Sequence, residues 1–329
     1  MSSGKGQATL TLNKDAKIYI AGHRGMVGSA VKRKLEAEGF NNLVCRNSSE
    51  LDLRNQQAVQ SFFEKEQPDV VIDAAARVGG IMANNEYPWQ FLYENLEIQN
   101  NIIAAAHQQE VDKLIFLGSS CIYPKHADQP MNEEALLTGS LEPTNQWYAI
   151  AKIAGVKMVD ALRRQYDRNY VSLMPTNLYG PNDNFDLETS HVLPAMIRKF
   201  HEARINGHTP VPLWGTGSPM REFLHVDDVA DAVFFALNHE MEHDLYNVGT
   251  GKDITIKDLA LLIQDITGHE GDINWDTSKP DGTPRKLMDV SRMREAGWTY
   301  NIELEEGIRA TYEWFKDHYD EIKEVKVKD

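Results

Sequence analysis

One stretch sets the architecture of this chain: Lys17-Ile-Tyr-Ile-Ala-Gly-His-Arg-Gly-Met-Val-Gly28. Its first five residues form a short apolar run, which predicts a buried strand. Residues 26–38 follow with apolar side chains at helical spacing and stop at Gly39, which predicts a helix. Glycines between a strand and a helix let the backbone approach a pyrophosphate at the helix N-terminus. The stretch therefore predicts a dinucleotide site.

Strand-like and helix-like segments alternate downstream of this loop. Strands are predicted at 43–45, 69–73, 113–118 and 170–175, and helices at 55–66, 88–109 and 148–166. Such alternation with short connections is typical of a parallel sheet that helices cover on both faces. We therefore predict an α/β protein with a Rossmann doubly wound parallel sheet.

The texture changes after Thr176, where prolines and glycines become frequent. Helices are predicted there at about 191–205, 226–239, 255–267 and 305–318, with a further strand at 244–249. We predict a dinucleotide-binding domain over 1–176 plus about 224–250. A smaller, discontinuous C-terminal substrate-binding region is predicted over 177–223 plus 251–329.

Composition narrows the class of protein. The 329 residues carry 34 Lys and Arg against 49 Asp and Glu, a net charge of −15, with 42% hydrophobic residues. Disorder is therefore excluded, as is a nucleic-acid binder that relies on a broad basic surface. Two cysteines, Cys45 and Cys121, form no disulfide or metal-finger pattern and favour a reducing compartment. The first 16 residues lack a signal-peptide pattern, and no membrane-length apolar run exists. We expect a cytoplasmic protein with no membrane or nucleic-acid partner.

The residues after the second strand indicate which dinucleotide is bound. NAD sites usually place Asp or Glu there, whereas this chain has Cys45-Arg46-Asn47. Arginine suits a 2′-phosphate, and Arg24 in the glycine loop is a second candidate, so NADP is preferred over NAD. The alternative is that both arginines are simply exposed. Asp52 either contacts the adenine amine or caps the next helix.

Tyr148-Ala-Ile-Ala-Lys152 places a phenol and an ammonium on one helix face. An ammonium about 4 Å away is worth about 4 kcal/mol at an effective dielectric of 20, enough to lower a phenol pKa by about three units. Ser119 lies at the end of the fourth strand, where parallel sheets bind ligands. Its hydroxyl could hold a substrate carbonyl that Tyr148 protonates.

These features together resemble the extended short-chain dehydrogenase/reductase family that acts on nucleotide sugars. The resemblance covers nearly the whole chain. It is closest to the branch that epimerises carbons 3 and 5 of GDP-4-keto-6-deoxy-D-mannose and reduces carbon 4 with NADPH. The stretches that carry it are Ala21-Gly-His-Arg-Gly-Met-Val-Gly28, Leu117-Gly-Ser-Ser-Cys-Ile-Tyr-Pro124, Pro143-Thr-Asn145, Pro175-Thr-Asn-Leu-Tyr-Gly-Pro181, Met220-Arg-Glu-Phe-Leu-His-Val-Asp-Asp228 and Ser278-Lys-Pro-Asp-Gly-Thr-Pro-Arg-Lys286.

The resemblance implies roles for individual residues. Cys121 and His191 match the groups that move protons at carbons 3 and 5. Ser119 and Tyr148 would hydrogen-bond the carbon-4 oxygen, and Tyr148 would protonate it. The cofactor positions implied are Gly22, His23, Arg24, Gly25, Met26, Val27, Gly28, Arg46, Asp52, Leu53, Leu117, Gly118, Ser120, Lys152, Pro175, Asn177, Leu178 and His191. The substrate positions implied are Lys199, Trp214, Arg221, Asp281 and Lys286.

Structural alternatives exist for several of these residues. Cys121 could be a small buried residue, His191 could cap the following helix, and Trp214 could pack within its loop. The helix over 88–109 carries Phe91, Leu92, Leu96, Ile103 and alanines 104–106. Related enzymes pair this helix with that of Tyr148 at a dimer seam, so we expect a homodimer. The alternative is packing on the sheet alone.

Three other functions are compatible with the same fold. A 4,6-dehydratase would place an Asp-Glu pair where this chain has Ser120-Cys121-Ile122. A 4-epimerase needs retained NAD and has no use for Cys121. A non-catalytic dinucleotide sensor would not need Tyr148 or Lys152.

Overall fold

The computed structural model describes residues 11–187, 189–279 and 281–322, so predictions for the first ten and last seven residues lie outside it. The strands of the described part are β1 Ile18–Ala21, β2 Leu43–Val44, β3 Val70–Asp73, β4 Lys113–Leu117, β5 Tyr170–Pro175, β6 Asn177–Tyr179, β7 Val211–Trp214, β8 Met220–His225, β9 Leu245–Val248, β10 Asp253–Thr255, β11 Ile273–Asp276 and β12 Arg285–Lys286. The helices are α1 Met26–Ala37, α2 Gln56–Glu66, α3 Ile81–Glu86, α4 Pro88–Gln108, α5 Gln146–Tyr166, α6 Val192–Ile205, α7 Val226–Asn238, α8 Ile256–Thr267, α9 Ser291–Ala296 and α10 Leu304–Asp317.

Six parallel strands form the central sheet in the order β2-β1-β3-β4-β5-β9. The order turns from one side to the other at β1 and β3, which creates a crevice at their carboxyl ends. The central strands read as continuous apolar runs because both of their faces are covered. The predicted Rossmann doubly wound sheet is therefore confirmed, with β9 as its sixth strand.

Two apolar clusters hold the helices on opposite faces of this sheet. On one face, Val31 and Leu35 of α1 pack with Val229 and Val233 of α7. On the other, α4 and α5 supply a second set of apolar side chains that includes Ile103 and Val156. Each layer removes apolar surface from water at about 25 cal/mol per Å², and the two layers fix the position of the crevice.

The C-terminal part builds a second, smaller body of sheet and helix. Strand β8 pairs with β6, β10 and β12, and β7 pairs with β11. Helices α6, α8 and α10 close a third apolar cluster around Phe200 and Phe315. The segment from Met288 to Trp298 instead packs into the two clusters of the large sheet. Helix α9 is only six residues long, which is too short for periodicity to reveal that docking.

No helix within the described ranges is both long and apolar enough to cross a membrane.

Candidate active site

The glycine loop passes tightly between β3 and α1. Gly22 has φ of +77°, and a Cβ added there would lie 2.6 Å from the carbonyl oxygen of Ala74. A Cβ on Gly28 would lie 2.2 Å from the carbonyl oxygen of Gly22. Gly25 precedes α1 and provides no side-chain cap, which leaves the first N–H groups of Met26 and Val27 for an anion.

Two arginines flank the place where an adenine ribose would lie on this loop. Arg24 is exposed and has neither a hydrogen bond nor an ion pair within the described residues. Arg46 donates to Glu66 at 2.8 Å and to the carbonyl oxygen of Cys45 at 2.8 Å. Arg24 is therefore free to meet an added phosphate, whereas Arg46 is engaged by α2. Beside Arg24, burial lowers the pKa of His23.

Asp52 does not cap helix α2. The cap is Asn55, whose side chain accepts from the N–H of Ala58 at 3.0 Å, so the capping alternative for Asp52 is wrong. Asp52 instead binds Arg54 at 3.0 Å, which lowers the pKa of the Asp52 carboxyl. The carbonyl oxygen of Leu53 accepts from Asn101 at 2.9 Å and fixes this turn against α4.

The loop after β4 presents the predicted serine and cysteine. Leu117 ends the strand, Gly118 follows it, and a single 3-10 turn spans Ser120–Ile122. The Ser119 hydroxyl accepts from the N–H of Cys121 at 3.4 Å. Cys121 is 7% exposed, and burial raises its thiol pKa, so the group is a protonated thiol at neutral pH.

The phenol and ammonium of α5 share a face, but the predicted lowering of the phenol pKa is wrong for this state. The Lys152 Nζ lies 5.8 Å from the centre of the Tyr148 ring because it donates to the carbonyl oxygen of Leu117 at 2.9 Å. Burial, with the nearby Cys121 and Asp73, raises the pKa of Tyr148. Tyr148 is therefore held as a neutral proton donor.

Three groups from distant parts of the chain interact electrostatically. The positive charge of Lys286 opposes the burial that raises the pKa of Cys121, and it adds to the burial that lowers the pKa of His191, so the ammonium lies near both groups. For His191 the larger cause is burial. His191 occupies the N-cap position of α6, as the capping alternative expects, but its side chain makes no cap hydrogen bond. Because its pKa is lowered, the imidazole is neutral at pH 7, and the residue is exposed.

Two further predicted substrate cations, besides Lys286, lie in the C-terminal part of the chain. Lys286 and Arg221 are direct register partners on β12 and β8. Lys199 donates to the carbonyl oxygen of Pro212 at 3.2 Å. Burial lowers the pKa of all three, and within the described residues none has a carboxylate closer than 4.0 Å. Desolvated cations without ion partners are suited to bind an anionic ligand.

Two other predicted substrate residues are Trp214, which ends β7, and Asp281, which lies in the loop before β12. Trp214 is 62% exposed, and the Lys279 ammonium lies 5.5 Å from the centre of its ring. Asp281 accepts from the Thr216 N–H at 2.6 Å and the Thr216 hydroxyl at 2.8 Å, which ties the loop before β12 to the loop after β7.

Three further predicted cofactor residues lie at the end of β5 and on β6. Pro175 ends β5, and Asn177 and Leu178 lie on β6. The Asn177 amide donates to the carbonyl oxygen of Glu222 at 2.8 Å.

Sequence reasoning missed one buried acid here. Asp73 ends β3 with 0% exposure, and burial raises its pKa to about 6. One carboxylate oxygen accepts from Ala75 N–H at 3.2 Å, whereas Oδ2 is buried without a hydrogen-bond partner. The signal was present as a charged residue closing an apolar strand.

The site combines a nucleotide-binding crevice with a neutral phenol, a thiol, an imidazole and desolvated cations. This combination is typical of an enzyme that transfers protons to and from a phosphorylated ligand. The chain belongs to the NAD dependent epimerase/dehydratase family, which matches residues 18–249. The predicted resemblance is thereby confirmed.

Individual relatives have names more specific than that of the family. GDP-L-fucose synthase 1 of Arabidopsis thaliana is 57% identical over 92% of this chain and 94% of its own. GDP-L-fucose synthase of Escherichia coli K12 is 54% identical over 92% and 98%. The crystal structure of a GDP-L-fucose synthetase from Naegleria fowleri bound to NADP superposes with a TM-score of 0.87, at 29% identity over 97% and 99%.

Proposed function

We propose that this enzyme converts GDP-4-keto-6-deoxy-D-mannose to GDP-L-fucose by epimerisation at carbons 3 and 5 followed by NADPH-dependent reduction at carbon 4. The observation that carries the proposal is that four side chains form one electrostatically connected group: Cys121 acts on Tyr148 and on Lys286, and Lys286 acts on His191. The relatives named above are called synthases of this same product.

The residues present fit an NADP nucleotide. A Cβ at Gly22 or Gly28 would clash with the neighbouring backbone, so only glycine allows the tight loop that a pyrophosphate requires, and Arg24 is free to pair with a 2′-phosphate. The adenosine end would lie along Arg46, Asp52 and Leu53. The nicotinamide end would lie against the stretch from Leu117 to Ser120, Lys152, and the stretch from Pro175 to Leu178. When bound, the cofactor supplies the hydride for carbon 4.

Epimerisation uses the acidity of carbons next to a ketone. Removing a proton from carbon 3 or 5 puts negative charge on the carbon-4 oxygen, which Ser119 and Tyr148 stabilise as hydrogen-bond donors. Cys121 starts as a thiol and His191 as a neutral imidazole. The pair therefore offers one proton donor and one acceptor, which is the minimum for inversion at a carbon.

Reduction uses the same oxygen site. Negative charge develops again on the carbon-4 oxygen, and the neutral Tyr148 phenol gives it a proton. The ammonium of Lys152 stabilises the phenolate that remains. One oxyanion site thus serves all three steps, which explains how one cleft performs two kinds of chemistry.

The nucleotide end of the substrate needs positive charge. Lys199, Arg221 and Lys286 supply it for the diphosphate, with guanidinium geometry suited to two phosphate oxygens. Trp214 is exposed and could stack on the sugar or base, and Asp281 lies in the neighbouring loop.

The test is incubation with GDP-4-keto-6-deoxy-D-mannose and NADPH, with NADPH absorbance followed and the product analysed by NMR. One NADPH oxidised per GDP-L-fucose formed supports the proposal. Inversion of carbon 4 of GDP-D-mannose without NADPH loss would indicate a 4-epimerase, and no turnover of either sugar would leave only a dinucleotide sensor.

Three further properties belong to this proposal. The predicted division would place the cofactor on the part formed by residues 1–176 plus about 224–250. It would place the nucleotide sugar on the part formed by residues 177–223 plus 251–329. A homodimer through α4 and α5 is supported by exposed Trp89, Tyr93 and Ile150 on those helices. A cytoplasmic location is supported by two free cysteines, Cys45 and Cys121.

A further inference from the structure

A buried ammonium needs a compensating charge. Lys152 is 3% exposed, and its Nζ has one hydrogen bond, to the carbonyl oxygen of Leu117. No carboxylate of the described residues forms a direct ion pair with it within 4.0 Å. An uncompensated ammonium in such surroundings loses its proton readily, because burial penalises the charged form.

Asp73 is the carboxylate whose field reaches this ammonium. It acts on Lys152 in the stabilising direction, and Lys152 acts on Asp73 likewise. The placement follows from the sheet, since Asp73 is the register partner of Phe116 on β4 and the Lys152 Nζ lies 4.8 Å from the centre of the Phe116 ring.

The other titratable groups around this pair do not supply the same compensation. Tyr148 on α5 and Tyr19 on β1 are neutral, with pKa values raised by burial and by Asp73 itself. Cys121 raises the pKa of Lys152 only as a thiolate, and burial keeps it protonated. Asp73 is thus the one carboxylate acting on Lys152 in the part of the chain that the structure describes.

We infer that Asp73 is a positioning residue that keeps the Lys152 ammonium charged inside the crevice, acting across the end of the sheet from β3. The inference rests on the proposed function for its catalytic consequence, but the charge pairing is a property of the protein alone. A purely structural acid would have both oxygens bonded, as in Asp228, whose two oxygens accept from the N–H groups of Asn301 and Ile302.

The first test is a double-variant cycle in the ligand-free protein. Asp73→Asn and Lys152→Met are each expected to lower Tm by several degrees, because each leaves one buried charge unmatched. The double variant is expected to lose clearly less than the sum of the two. Additive losses would overturn the inference, and this readout does not depend on activity.

The second test is the pH profile of the reduction. In Asp73→Asn the alkaline limb of kcat is expected to move to lower pH by about one unit, because Lys152 loses its supporting charge. Asp228→Asn, the control, is expected to lower Tm without moving that limb. An unmoved limb in Asp73→Asn would overturn the inference, whereas an inactive wild type would instead contradict the proposed function.

Discussion

In the proposed mechanism, Tyr148 presents a protonated phenol to the reacting carbon-4 oxygen. Its pKa is raised by burial, so it gives up its proton only when charge develops beside it. Tyr148→Phe removes that proton and keeps the ring. We expect NADPH oxidation to fall by about 10²- to 10⁴-fold.

Solvent exchange in the same variant separates the two reactions. Deuterium uptake at carbons 3 and 5 should fall by a much smaller factor, because Ser119 still donates to the carbon-4 oxygen. NMR of the keto sugar in D2O measures it. Equal losses of exchange and reduction would argue against Tyr148 as the specific proton donor.

Cys121 is the second residue on which the proposed chemistry depends. Cys121→Ser replaces a thiol by a hydroxyl that is far less acidic, so we expect exchange at carbons 3 and 5 to fall at least about 100-fold. Cys45→Ser, the other free cysteine, is the matched control and should exchange normally. Wild-type exchange in Cys121→Ser would remove the thiol from the epimerisation.

The pH dependence of this exchange follows from the two shifted groups. Burial raises the pKa of Cys121, so its thiol stays protonated through the neutral range. The pKa of His191 is lowered, so the neutral imidazole that accepts a proton forms already below neutral pH. With the thiol as donor and the imidazole as acceptor, exchange should rise with pH in the acidic range and stay level between about pH 6 and 8. A rate that climbs steadily between about pH 6 and 8 would contradict this assignment, because it would indicate that a thiolate removes the proton.

At the scale of elements, the C-terminal end of α2 holds Arg46, the residue after β2 that is proposed to contact the nucleotide. Glu66 holds Arg46 at 2.8 Å, and the Arg46 guanidinium stacks 5.6 Å from the centre of the Phe62 ring. Glu66→Gln frees the arginine and removes a negative charge near the 2′-phosphate. We expect NADPH to bind about fivefold tighter, equivalent to about 1 kcal/mol, with NADH unchanged.

Fluorescence titration of NADPH and NADH measures this difference. Glu64→Gln, on the exposed side of the same helix, is the matched control and should leave both affinities unchanged. Unchanged or weaker NADPH binding in Glu66→Gln would show that the ion pair does not compete with the cofactor.

The elements also show what the sequence could and could not predict. Strands β1 and β3 and helix α1 were predictable because their periodicity and glycines are local signals. The approach of Lys286 to Cys121 and His191 was not, since it depends on strand pairing between segments far apart in the chain. Asp73 was missed because a carboxylate within an apolar run is read as part of the strand. The raised pKa of the Tyr148 phenol was not predicted because the Lys152 side chain donates to a backbone carbonyl oxygen, which the sequence does not reveal.

At the scale of the whole molecule, α4 and α5 leave apolar side chains uncovered. Trp89 stacks on Tyr93 with ring centres 4.7 Å apart, and both remain exposed with Ile150. A second copy of the chain would cover them. We expect light scattering at micromolar concentration to give twice the chain mass of 37.3 kDa. The Trp89→Asp variant is expected to give a mass closer to that of a single chain. A monomer at that concentration would contradict the dimer.

In the proposed mechanism, one site carries out both proton exchange and reduction on the same sugar. The isotope content of the product made in D2O with unlabelled NADPH tests this. We expect GDP-L-fucose with solvent deuterium at carbons 3 and 5 and protium at carbon 4. Product that keeps protium at carbons 3 and 5 would contradict it.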